Sequence, residues 1–93
     1  MSLTVRENPQ LQRFELPLGD GLLAAAYYRI EDGRVAFIHT EVPQGFSGQG
    51  VGSRLAGETF ELLRKTGRKA ILYCPFMVRF LAKHPEYADI VDS

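Results

Sequence analysis

Ninety-three residues, 45% of them hydrophobic, suffice for one small domain spanning residues 1–93 and exclude a second. Eleven Lys and Arg against eleven Asp and Glu leave a formal net charge of zero, so non-specific nucleic-acid binding has no obvious electrostatic source beyond a local patch. No apolar run approaches the roughly 20 residues of a membrane span, and residues 1–7 lack the apolar centre of a signal peptide, so a cytosolic location is expected with neither nucleic acid nor membrane as partner.

Residues 3–7 form a candidate edge strand, closed by Asn8-Pro9. Phe14, Leu16 and Leu18 then alternate with Arg13, Glu15 and Pro17, the period of a half-buried strand. Gly19-Asp20-Gly21 turns the chain, and residues 22–30, bounded by turn signals, read as a strand despite their alanines. In Glu31-Asp32-Gly33-Arg34 the Asp-Gly pair tolerates the positive φ angles of a tight hairpin, so residues 34–42 return antiparallel and complete a three-stranded meander. Over residues 50–66 the period changes. At about 100° per residue, Val51, Leu55, Ala56, Thr59, Phe60, Leu62 and Leu63 share one helix face. Arg54–Glu58 and Glu61–Lys65 make i,i+4 pairs on the opposite side, and Gly67 stops the helix. The cluster Arg64, Lys65, Arg68 and Lys69 suits the helix C-terminus and faces water. Residues 69–73 form a short apolar strand, and the strand–helix–strand order predicts a right-handed parallel crossover. Pro75 opens a second helix carrying Phe76, Met77, Phe80 and Leu81, which ends before Pro85. His84 fixes that end, and Tyr87 packs the tail back onto the domain.

The crossover begins with Ser47-Gly48-Gln49-Gly50-Val51-Gly52-Ser53, alternate glycines opening a helix directly after a strand. Such backbone can turn its N–H groups toward an anion at the positive end of the helix dipole. A P-loop needs Lys and Ser/Thr after its second glycine, whereas Gly50 is followed by Val51 and Gly52; the dinucleotide fingerprint lacks its third glycine in either register. A different phosphate loop, or a tight turn that only packs a helix on a sheet, remains. Cys74 sits at the same sheet edge and at a helix N-terminus, a position expected to lower a thiol pKa; the alternative is a small buried apolar residue. His39 and Glu41 share one face of the third strand if alternation holds, and such a pair suits proton removal from an ammonium. Beside Val35 and Phe37, the favoured alternative for His39 is a hydrogen-bonded core residue. A single cysteine cannot make an internal disulfide, and with His39 and His84 far apart no metal is expected.

Four segments in order, His39-Thr40-Glu41-Val42-Pro43, Gly48-Gln49-Gly50-Val51-Gly52, Cys74-Pro75-Phe76 and His84-Pro85-Glu86-Tyr87, resemble the small single-domain "YjdJ-like" GNAT-type N-acetyltransferases over about residues 14–91. The glycine segment is similar to that family's acetyl-CoA pyrophosphate loop, Arg/Gln-x-x-Gly-x-Gly/Ala, with Ser47 in place of the first Arg or Gln. The resemblance implies an α/β GNAT-like mixed sheet, an antiparallel meander followed by a β-α-β crossover and a second helix. It also implies acetyl-CoA as cofactor, with Gln49, Gly50, Val51, Gly52 and Ser53 holding its pyrophosphate. Glu41 and Val42 would pair with pantetheine as a strand does, and Cys74, Pro75 and Phe76 would border the thioester. Cys74 and His39 are the implied catalytic residues, Cys74 as acyl carrier or, preferred, as an aid to proton transfer during direct attack by a primary amine. The chain stops short of the hairpin that commonly walls the family's acceptor site. An open groove is therefore expected, suited to a protein tail or another amine of open identity, and a homodimer could supply the wall. A non-catalytic acyl-CoA sensor or adaptor is the alternative.

Overall fold

A computed structural model describes residues 4–46 and 50–92. Leu3 of the expected edge strand and Ser47, Gly48 and Gln49 of the glycine loop lie outside the described residues. Five strands, β1 (Arg6–Asn8), β2 (Arg13–Gly19), β3 (Leu22–Glu31), β4 (Arg34–Glu41) and β5 (Ala70–Leu72), form one sheet in chain order. The first four pair antiparallel, and β5 adds in parallel to β4. Helix α1 (Val51–Lys65) joins β4 to β5, helix α2 (Pro75–Lys83) follows β5, and a 3₁₀ segment (Pro85–Ile90) closes the described chain.

The β3–β4 hairpin turns at Asp32 and Gly33, both at positive φ (52° and 76°), as the Asp-Gly pair requires. The edge strand lies later than expected. Val5 turns inward instead, 5% exposed, and its N–H donates to Glu58 Oε1 on α1 at 2.8 Å. The half-buried pattern of β2 also conceals a surprise: Glu15, on the polar phase of the alternation, is only 3% exposed. Asn8 Nδ2 and the Nε atoms of Arg6 and Arg13 donate to its carboxylate at 3.0, 3.0 and 2.6 Å, which satisfies a charge that would otherwise be costly to bury.

The core joins Phe14, Leu16, Ala24, Ala26, Tyr28, Val35 and Phe37 of the sheet to Leu55, Ala56, Phe60 and Leu63 of α1 and Met77 and Phe80 of α2. Both helices therefore pack on the same sheet face. Phe60 is central, its ring centroid 6.1 Å from Phe37 and 5.7 Å from Phe80. Gly67, at φ 69°, ends α1 in a Schellman arrangement, with Arg68 N–H donating to Leu63 O at 2.9 Å and Gly67 N–H to Arg64 O at 3.2 Å.

Two expectations about charge are corrected. Arg54 and Glu58 pair at 2.7 Å, but Glu61 meets Arg64 at 3.7 Å and accepts the Tyr87 hydroxyl rather than pairing with Lys65. The basic cluster does more than face water, because segments near both ends of the described chain supply further acidic partners. Arg64 reaches Asp89 at 2.6 Å and covers the Tyr87 ring, while Arg68 reaches Glu7 at 2.9 Å and covers Phe14. His84 caps α2, donating its N–H to Phe80 O at 3.0 Å, and its ring stacks on Phe80 at 4.3 Å.

Candidate active site

Strands β4 and β5 run together for only three residue pairs, Val35↔Ala70, Ala36↔Ile71 and Phe37↔Leu72. Phe37 O then accepts from two amides, Tyr73 N–H at 3.0 Å and Cys74 N–H at 3.1 Å, as the chain swings from β5 into α2. Past that point β4 continues to Glu41, and among the described residues no strand pairs with its outer edge. The sheet thus opens into a notch whose β4 side presents unshared backbone donors and acceptors, the groups with which an extended amide-bearing chain can pair.

A bulge sits beside the notch. Tyr28 pairs with Phe37 and Tyr27 with His39, so Ile38 is an extra residue in β4. One inserted residue exchanges the two faces of the strand beyond it. Val35 and Phe37 lie in the core, whereas His39 and Glu41 leave that face and stand exposed, with side chains 60% and 65% accessible. The expected sharing of one face by His39 and Glu41 holds, and His39 Nε2 lies 3.7 Å from Glu41 Oε2. The favoured core reading of His39 does not hold, because the bulge turns it outward to stack on Tyr27 at 5.8 Å.

The same exchange turns Thr40 inward. Its Oγ1 lies 3.3 Å from Cys74 Sγ across the notch. Sequence reasoning passed over Thr40, since only the bulge puts it there and no residue pattern in β4 announces the bulge. Cys74 is 4% exposed and forms the N-cap of α2, with Pro75 in the first turn and no side-chain cap hydrogen bond. His39 and Cys74 thus belong to opposite faces of the opened sheet, with the notch between them.

Gly50 is the N-cap of α1 at φ 74°, and no side chain caps it. Its surroundings are open: a Cβ built there meets nothing within 4 Å. The first turn of α1 holds no acidic residue, so its N–H groups face an unneutralised positive dipole end. Gly52 serves a different purpose, for a Cβ there would stand 2.7 Å from Phe76 Cζ. Its missing side chain is what lets Phe76, at the start of α2, lie against the start of α1. The structure therefore brings Gly50, Val51, Gly52 and Ser53 to one side of α2 and Glu41, Val42, Cys74, Pro75 and Phe76 to the opened sheet edge; Gln49 lies outside the described residues. Among the described residues this helix start offers open space at Gly50, no side-chain cap and no acid on the first turn, the features an anion requires. Among the described residues there is no cluster of His, Cys, Asp and Glu able to hold a metal, and no helix long and apolar enough to cross a membrane.

Comparison with known proteins agrees with this geometry. A family model for GCN5-related N-acetyl-transferases matches residues 13–90. The solution structure of a GCN5-like protein from Staphylococcus aureus is similar with a TM-score of 0.71 and 27% identity, over 98% of this chain and 89% of that one. No curated protein matches the chain.

Proposed function

This chain belongs to the GCN5-related N-acetyltransferase family, and from that premise we propose that it transfers acetyl from acetyl-CoA to a primary amine by direct attack. The observation that carries the reading is the parting of β4 and β5 after Phe37, beside a helix start that is open and uncapped at Gly50. Acetyl-CoA supplies an activated acetyl group, whose carbonyl carbon bonds to the amine nitrogen as the carbon–sulfur bond breaks and the thiolate leaves.

The chain's own groups do the rest. The free edge of β4 at Glu41, with Val42 just beyond it, pairs with the pantetheine amides, and the backbone from Gln49 to Ser53 holds the pyrophosphate. Cys74, Pro75 and Phe76 border the thioester. His39, held beside Glu41 on the exposed face, accepts the proton that the attacking nitrogen sheds. Cys74, in contact with Thr40, lies where the leaving sulfur collects a proton. Holding amine and thioester together supplies most of the acceleration, so no acyl-enzyme is required. The amine comes from a protein or a small molecule, and a second copy of the chain could wall the open acceptor side.

The test is release of free CoA from acetyl-CoA with and without candidate amines, followed by intact mass of the protein. Acceptor-stimulated release that survives in part in Cys74→Ala, with no acetylated protein, is expected. An acetyl adduct on Cys74 that forms and decays at the turnover rate would replace direct attack by a covalent relay. Binding of acetyl-CoA without stimulated release by any amine would leave a sensor rather than an enzyme.

A further inference from the structure

Seven of the chain's eight arginines, Arg6, Arg13, Arg29, Arg34, Arg54, Arg64 and Arg68, lie within 4.0 Å of a carboxylate. Arg79 is the exception among the described residues. It is exposed on α2, one helical turn before Lys83, which likewise has no acidic partner there. At i,i+4 the two side chains occupy neighbouring places on one helix face. Like charges so placed repel, and no carboxylate among the described residues pairs with either.

They also converge on a cavity. Ser53, Phe76, Arg79, Phe80 and Lys83 line a cleft of about 80 Å³ between the first turn of α1 and the outer side of α2. That is room for a phosphate-sized group in a cleft open to solvent. Ser53 offers a hydroxyl at the α1 side, in the first helical turn after Gly50. In a chain of zero net charge, two unpartnered cations facing one small cleft mark a place for an anion.

We propose that this cleft, through Arg79 and Lys83, binds the 3′-phosphate of CoA and makes the protein selective for 3′-phosphorylated over dephosphorylated acyl donors. The inference rests on the acetyl-CoA reading. A pyrophosphate held at the first turn of α1 would bring the adenosine end to this side of the helix pair. A phosphomonoester dianion there would meet a planar guanidinium able to bind two oxygens and an ammonium acting as a point charge. Helix periodicity could have grouped Arg79 with Lys83 in the sequence; the meeting with Ser53, 26 positions upstream of Arg79, is visible only in the fold.

The experiment compares calorimetric affinities for acetyl-CoA and acetyl-dephospho-CoA in the wild type and in an Arg79→Gln, Lys83→Gln double variant. Two modest surface ion pairs together correspond to a preference of about tenfold for acetyl-CoA, and added salt should shrink it. The double variant should bind both compounds alike. Equal wild-type affinities, or a preference that survives in the double variant, would overturn the inference while leaving acetyl-CoA binding intact. Failure of the wild type to bind either compound would overturn the acetyl-CoA reading and this inference together.

Discussion

Gly50, Gly52 and Gly57 look alike in the sequence, yet the fold uses them differently. Gly50 needs positive φ at the helix start, Gly52 makes way for Phe76, and Gly57 sits within α1, where an added Cβ would lie 3.6 Å from Phe80 in ordinary contact. Gly57→Ala should therefore raise stability by about 0.5–1 kcal/mol through helix propensity. Gly52→Ala should instead cost about 1–3 kcal/mol by overpacking, or push Phe76 toward the cleft it lines and weaken acetyl-CoA binding. Denaturant titration of both variants, with calorimetry of Gly52→Ala, checks this; a Gly52→Ala protein unchanged in both respects would refute it. The glycine run was legible from its spacing as the opening of a helix, with an anion loop and a packing turn both left open. The role of Gly52 was not, because the ring that excludes its Cβ lies 24 positions away in another helix.

At the scale of elements, the turn chemistry and periodicities were legible. Asp32-Gly33, the apolar stripe of α1, the stop at Gly67 and the start at Pro75 each express local backbone or burial preferences. The bulge at Ile38 was not, since it follows from sheet pairing, and it alone decides which side His39, Thr40 and Glu41 face. Deleting Ile38 should remove the bulge while keeping His39 opposite Tyr27 and Thr40 opposite Ala26, so that plain alternation alone then leaves His39 and Glu41 on the exposed face. The deletion and Ile38→Ala, both at a position 41% exposed, should therefore each cost only about 1 kcal/mol. A deletion that costs several kcal/mol more than Ile38→Ala by chemical denaturation would mean that β4 beyond Phe37 does not pair in this register.

Across the whole molecule, ion pairs tie both ends of the described chain to its middle: Glu7 to Arg68, Asp89 to Arg64 and Asp92 to Arg34. The Arg68 guanidinium holds the Glu7 carboxyl below its ordinary 4.5, and Arg64 holds Asp89 below 3.8. A depressed carboxyl stabilises the fold fully above its ordinary value and loses that contribution as pH falls through the folded value. Stability should thus decline below about pH 4.5. Tyr28 has the opposite sign. Burial and the Glu7 carboxylate push its hydroxyl up from 10.0 to about 12, so its contribution is complete below pH 10.0 and vanishes as pH rises through about 12. Midpoints of urea unfolding against pH should show both declines, and Tyr28→Phe should flatten the alkaline one. An alkaline decline unchanged in that variant would contradict the assignment. These ties escaped the sequence because each joins residues 25 to 61 positions apart, with no local signature.

The central claim is that the notch between β4 and β5 and the start of α1 together receive acetyl-CoA. Titrating ¹⁵N-labelled protein with acetyl-CoA and following backbone amide resonances tests ligand and place in one measurement. The account predicts saturable shifts at His39, Thr40, Glu41 and Val42, at Gly50, Val51, Gly52 and Ser53, and at Cys74 and Phe76, with β1 and β2 unaffected. An absence of shifts at saturating ligand, or shifts gathered on β1 and β2 instead, would contradict it.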